Sequence, residues 1–153
     1  MKKKTIIWLG VSLAVVFGCC ILAGVYLLND RYVEYSRLNK IKQFVTVHFP
    51  DAHPITAMRD FPGYDVWIGT GTEIEFNWRE NWQEINVYGK DTIPASILSL
   101  IPVNITEYVS QNHDNARISK INKKRYGYEI ELSIGRDIEL KFNKNGLLIG
   151  IDD

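Results

Sequence analysis

Apolar and polar side chains alternate with a period of two along Gly127 to Phe142, GYEIELSIGRDIELKF. Tyr128, Ile130, Leu132, Ile138, Leu140 and Phe142 take one set of places; Glu129, Glu131, Asp137, Glu139 and Lys141 take the other. That period predicts two strands with one buried and one wet face, joined by a turn at residues 133–136. The pattern has a counterpart at Gly63 to Trp78, GYDVWIGTGTEIEFNW. Aligned without a gap, 41–87 and 105–151 share Ile41/Ile105, Val45/Val109, Ala52/Ala116, Gly63/Gly127, Tyr64/Tyr128, Gly71/Gly135, Ile74/Ile138, Glu75/Glu139, Asn81/Asn145 and Ile85/Ile149. These identities fall at expected turns and inward-facing sites, so a tandem duplication is expected. Gly71 and Gly135 would supply the positive φ that a hairpin turn requires.

The remaining elements follow from periodicity and breakers. Residues 31–48 read as a helix, with Leu38, Ile41, Phe44, Val45 and His48 on one stripe and Phe49-Pro50 ending it. A weakly patterned strand follows at 54–59, then the first hairpin, a turn at 79–81, a strand at 82–88 and a linker at 89–91. Pro94 suits the opening turn of a short helix to Leu100. Asn104 is placed to cap the next helix, with Glu107 completing a capping-box arrangement. A strand at 117–122, the second hairpin, a turn at 143–146 and a strand at 147–151 complete the chain. The expected fold class is α+β: two helix-plus-antiparallel-sheet units of about four strands each, sharing one core behind an N-terminal hydrophobic helix. The divisions are a basic tail at 1–4, an apolar segment at 5–28, a first unit at 29–91 and a second at 92–153.

The N-terminus changes the picture most. MKKK precedes Thr5 to Leu28, which carries no charge. As a helix this stretch would be about 36 Å long, against a hydrocarbon core of roughly 30 Å. The lysines place the N-terminus in the cytoplasm and the body outside. The leading reading is an uncleaved membrane anchor. A cleaved secretory signal and a lipoprotein signal at Cys19, from Val16-Phe17-Gly18-Cys19, are the alternatives, and all three export the body to the envelope. Cys19 and Cys20 are the only cysteines, so the exported body is held by burial without a disulfide. Formal charge is zero overall; without Lys2, Lys3 and Lys4 it is −3, which gives no electrostatic case for nucleic acid.

GTEIEFN with NWQEI, then IP with IPxNI, then GYEIELSIGRDIELKFNKNGLLIGID resemble the PepSY-like family, also labelled beta-lactamase-inhibitor-like and found in exported proteins of Bacteroidetes. The resemblance covers roughly residues 38–153. It implies helices on one face of an antiparallel sheet of about eight strands, the other face being open. It further implies proteins that bind or restrain other proteins and have no assigned chemistry. Relatives usually carry a conventional signal peptide, whereas the apolar run here is of anchor length.

With Ile74, Phe76, Ile85 and Val87 facing the helices, the outer face of the first unit would carry Asp65, Trp67, Glu73, Glu75, Asn77, Trp82, Glu84, Asn86 and Tyr88. Aromatics among carboxylates suit a protein-binding surface, and Trp67, Glu73, Glu75, Trp82, Glu84 and Tyr88 are the candidate contacts. Cross-strand stacking for sheet stability is the competing reading. His48, Asp51 and His53 match no structural zinc spacing, and no metal or cofactor is expected. The carboxylate pairs Glu73/Glu75, Glu129/Glu131 and Asp137/Glu139 lie on a wet face, where acid–base chemistry lacks the cleft it needs. Lys120, Lys123, Lys124 and Arg125 read as a solvated basic patch. G-x-S-x-G, H-E-x-x-H and Walker patterns do not occur, so no enzyme is expected. The reading is a membrane-tethered extracytoplasmic protein-binding module. The alternatives are an inhibitor or regulator of an exported peptidase or hydrolase, and a purely structural envelope protein.

Overall fold

In a computed structural model, residues 32–69, 71–89, 92–133 and 137–152 are described. Segment 5–28 and the turn at 134–136, including Gly135, lie outside them. Among the described residues no helix is long and apolar enough to cross a membrane.

The strands are β1 (Ile55–Asp60), β2 (Gly63–Ile68), β3 (Thr72–Asn77), β4 (Trp82–Val87), β5 (Arg117–Lys124), β6 (Gly127–Ser133), β7 (Asp137–Asn143) and β8 (Leu148–Asp152). They form one 8-stranded sheet in sequence order, every neighbour antiparallel. Helices α1 (Asn39–His48), α2 (Ala95–Leu98) and α3 (Val103–Asn112) supply the other layer. Residues 39–87 thus run helix then four strands, and 103–152 run in the same order. A short ladder joins the two halves, pairing Glu84 with Asn122, Ile85 with Ile121 and Asn86 with Lys120.

The core forms where the apolar stripes meet the inward strand positions. Ile41 and Val45 of α1 and Ile105 and Val109 of α3 are buried against Val66, Ile74, Ile85, Ile121, Ile130, Leu132 and Leu140. Phe44 meets Phe76 edge-on at 5.5 Å, and Tyr108 meets Phe142 edge-on at 5.6 Å. A Cβ at Gly63 would overlap the Phe76 carbonyl oxygen, and one at Gly127 would overlap the Phe142 carbonyl oxygen. Glycine at the start of β2 and β6 is therefore a condition of close strand approach.

Several expected boundaries move. The helix expected from residue 31 starts at Asn39; Tyr35–Arg37 is a separate 3₁₀ turn, and Tyr32 bridges to Met58. Leu38 offers no capping side chain, and the first amides of α1 find an acceptor far along the chain. Glu80 Oε2 accepts from Lys40 N at 2.8 Å and Ile41 N at 3.4 Å. Asn104 is not the cap of α3, because Pro102 takes that place and the helix begins at Val103. The Asn104 side chain donates instead to the Asn145 carbonyl at 3.4 Å. Pro94 likewise sits at the cap position of α2 rather than inside its first turn. In the first hairpin turn Gly69 takes a positive φ of 59°.

Candidate binding face

The register of the sheet lays two rows of side chains across its outer face. One runs Thr56, Trp67, Glu73, Asn86, Lys120, Glu131, Glu139 and Asp152. The other runs Met58, Asp65, Glu75, Glu84, Asn122, Glu129, Lys141 and Gly150. Half the members of the two rows are carboxylates, and their cations are Lys120 and Lys141.

Those cations serve the second half of the sheet and its seam. Lys120 Nζ lies 2.6 Å from Glu84, and Lys141 Nζ pairs with Asp152 and, at 3.4 Å, with Glu139. Lys124 pairs with Glu129 at 2.9 Å. Asn122 also donates to Glu84, so that carboxylate ties β5 to β4. Among the described residues, Asp65 and Glu75 have no ion-pair partner. Burial first, then the charges of Asp60 and Glu73, push the Asp65 carboxyl up to about 6. Burial followed by Glu84, Asp65 and Glu73 also raises Glu75, which Lys120 only partly offsets. Like charges held this close disfavour ionisation, so this corner of the sheet carries an anionic field that Lys120 offsets only in part.

Trp67 and Tyr88 stand beside that corner. They are 39% and 43% exposed, and their rings stack with centroids 6.1 Å apart and planes 8° from parallel. The pair bridges β3, because Trp67 belongs to β2 and Tyr88 follows β4. Tyr88 N donates to Gly71 O at 2.7 Å, which extends the pairing of the two strands by one residue beyond Thr72 and Val87. The Tyr88 hydroxyl donates to Glu73 Oε2 at 2.8 Å; burial and that bond push its pKa up to about 12.

The outer face therefore brings together Trp67, Glu73, Glu75, Glu84 and Tyr88 of the expected contacts. Trp82 is not among them. Glu75 pairs with Glu84 and Phe76 with Trp82, which leaves Gln83 as the extra residue of a β-bulge. The bulge turns Trp82 to the helix side, where it is 7% exposed and 6.4 Å from the Phe44 ring. Lys123 is also misplaced by a solvated-patch reading: β5 runs through Lys124, and the Lys123 ammonium lies 3.3 Å above the Trp82 ring centroid. His48, Asp51 and His53 border one cavity, but no group of three or more His, Cys, Asp or Glu among the described residues could hold a metal ion.

A family model described as "Putative beta-lactamase-inhibitor-like, PepSY-like" matches residues 62–150. The chain belongs to the PepSY-like family. A solved structure described as "a putative calcium-regulated periplasmic protein" from Bacteroides thetaiotaomicron is 30% identical with a TM-score of 0.68. The match spans 82% of this chain and 98% of that one. A periplasmic protein from Bacteroides vulgatus, also described as "putative", is 27% identical with a TM-score of 0.65 over 80% of this chain and 96% of its own. A second Bacteroides vulgatus protein, described as being of unknown function, is 26% identical at the same TM-score of 0.65. Comparison with curated proteins gives no match.

Proposed function

We propose that this PepSY-like chain is an extracytoplasmic binding module without catalysis, built from a duplicated helix-and-sheet unit. It is held at the membrane by residues 5–28 and docks a cationic segment of an envelope protein on the outer face of β2 to β4. The carrying observation is the stacked Trp67–Tyr88 pair beside the unpaired carboxylates Asp65 and Glu75. A guanidinium laid on an aromatic face gains cation–π attraction, and the neighbouring carboxylates supply its counter-charge. The distribution of ion pairs supports the same half of the sheet, since Glu129, Glu139 and Asp152 of the other half already hold lysines, whereas Asp65 and Glu75 do not. The periplasmic description of the relatives and the MKKK-plus-apolar start both support export. Restraint of an exported hydrolase would use the same surface.

The test is a titration of the full chain in nanodiscs with an arginine-containing strand-forming peptide, followed by NMR. Amide and indole shifts confined to Thr56, Trp67, Glu73, Asn86 and Tyr88, weakened by salt and lost in Trp67→Ala, are expected. Shifts on the helix side, or equal response to a glutamate-containing peptide, would refute the reading. The mass of the mature protein distinguishes a retained anchor from cleavage or lipidation at Cys19.

A further inference from the structure

On the opposite side of the sheet, a groove of about 520 Å³ runs between α1 and the start of β4, with Lys123 of β5 closing one wall. Its apolar surface comes from Phe44, Val47 and Trp82, and Phe44 and Trp82 are 6.4 Å apart. That size and lining suit a small ligand with an apolar body.

The polar groups of the groove are unequally satisfied. Glu80 is occupied, its carboxylate receiving the Lys40 and Ile41 amides at the head of α1. Among the described residues, the Lys40 ammonium donates to the Arg79 carbonyl at 3.3 Å and has no carboxylate partner. Lys123 has no carboxylate partner among the described residues; its ammonium rests on the Trp82 ring, and burial pushes its pKa down to about 8. His48, whose ring lies 4.5 Å from Phe44, has a buried Nδ1 with no hydrogen-bond partner among the described residues, and burial lowers its pKa. The groove thus holds two ammonium groups beside an aromatic wall, and the carboxylate that lines it is already engaged.

We propose that this groove binds a small amphipathic carboxylic acid, its carboxylate on Lys123 and its aryl or alkyl body laid along the wall of Phe44, Val47 and Trp82. A carboxylate there restores the counter-charge that burial denies Lys123, and the aromatic wall supplies apolar contact. The site is on the other side of the sheet from Trp67 and Tyr88, so it stands or falls independently of the docking face.

The experiment uses the full chain in nanodiscs with lysine labelled at Cε, titrated with 3-phenylpropionate and with its neutral amide, 3-phenylpropanamide. The groups that face Lys123 and could titrate with it are Lys40, His48 and Glu80. The free protein is expected to show a Lys123 midpoint near pH 8, moving up by at least one pH unit with the acid. The acid is expected to bind at least tenfold more tightly than the amide. Lys123→Met removes that preference and Lys123→Arg keeps it. Lys40→Met, at an exposed position, reduces it without touching the core. Equal binding of acid and amide overturns the proposal, as does a Lys123 midpoint that the acid leaves unmoved, or an acid preference that survives in Lys123→Met.

Discussion

Trp67 and Trp82 separate the two faces of the sheet, and truncating each to alanine measures which face it occupies. Trp82 is 7% exposed and hides roughly 200 Å² of side chain. At about 25 cal/mol per Å² its transfer out of water is worth about 5 kcal/mol. Alanine retains a part of that and the walls relax in part, so Trp82→Ala should cost about 3–5 kcal/mol. Trp67 is 39% exposed and has one ring partner, Tyr88, so Trp67→Ala should lose about 0.5–1.5 kcal/mol of stacking. With a urea m-value near 2 kcal/mol/M, these become midpoint falls of roughly 1.5–2.5 M and under roughly 1 M. Urea unfolding followed by far-UV circular dichroism reads both. A Trp82→Ala midpoint within a few tenths molar of the parent would mean that the bulge at Glu75–Phe76 does not turn Trp82 inward.

Asp65 titrates near 6 in the folded chain and about 3.9 when unfolded, so the folded state binds more protons between those values. Stability attributable to this group is therefore greatest below about pH 4 and falls as pH rises through 6; Asp65→Asn should raise the urea midpoint at pH 7.5 and flatten its change from pH 4.5. Glu84→Ala removes the Lys120 ion pair and the Asn122 hydrogen bond across the three-residue seam, and Glu84 is only 13% exposed. It should cost about 1–3 kcal/mol and raise hydrogen exchange along β4 and β5. Gly127→Ala drives a methyl into the Phe142 carbonyl and should lower thermal stability by at least about 2 kcal/mol, with Gly63→Ala behaving alike and Gly150→Ala, where the nearest atom is 3.7 Å away, nearly neutral.

Both hairpins were legible because each strand keeps a strict period of two and is wet on one side. The stripe of Ile41, Phe44 and Val45 identified α1 for the same reason. What escaped the sequence depended on partners remote along the chain. The start of α1 is set by Glu80, a turn residue with φ of 60°, and nothing near Leu38 announces it. Trp82 fits an alternating pattern as well outside as inside; one inserted residue, Gln83, decides between them, and a bulge leaves no mark in composition. Asn104 and Glu107 satisfy a capping spacing, yet Pro102 ends the preceding turn early enough for the helix to begin before Asn104. Lys123 looked like one of a run of surface lysines until the strand reached Lys124 and turned it onto Trp82. On the outer face, Trp67, Glu73, Glu75, Glu84 and Tyr88 were placed by parity alone, but the parallel stack of Trp67 on Tyr88 joins side chains from strands on either side of β3, a contact that parity does not reveal.

The most direct measurement is site-specific photocrosslinking in cells that make the full chain, with p-benzoylphenylalanine replacing Tyr88 on the outer face or Val47 on exposed α1. A protein adduct is predicted from position 88 and not from position 47, and Asp65→Asn combined with Glu75→Gln should diminish it. Adducts of equal yield from both positions, or from position 47 alone, would contradict docking on the outer face of β2 to β4.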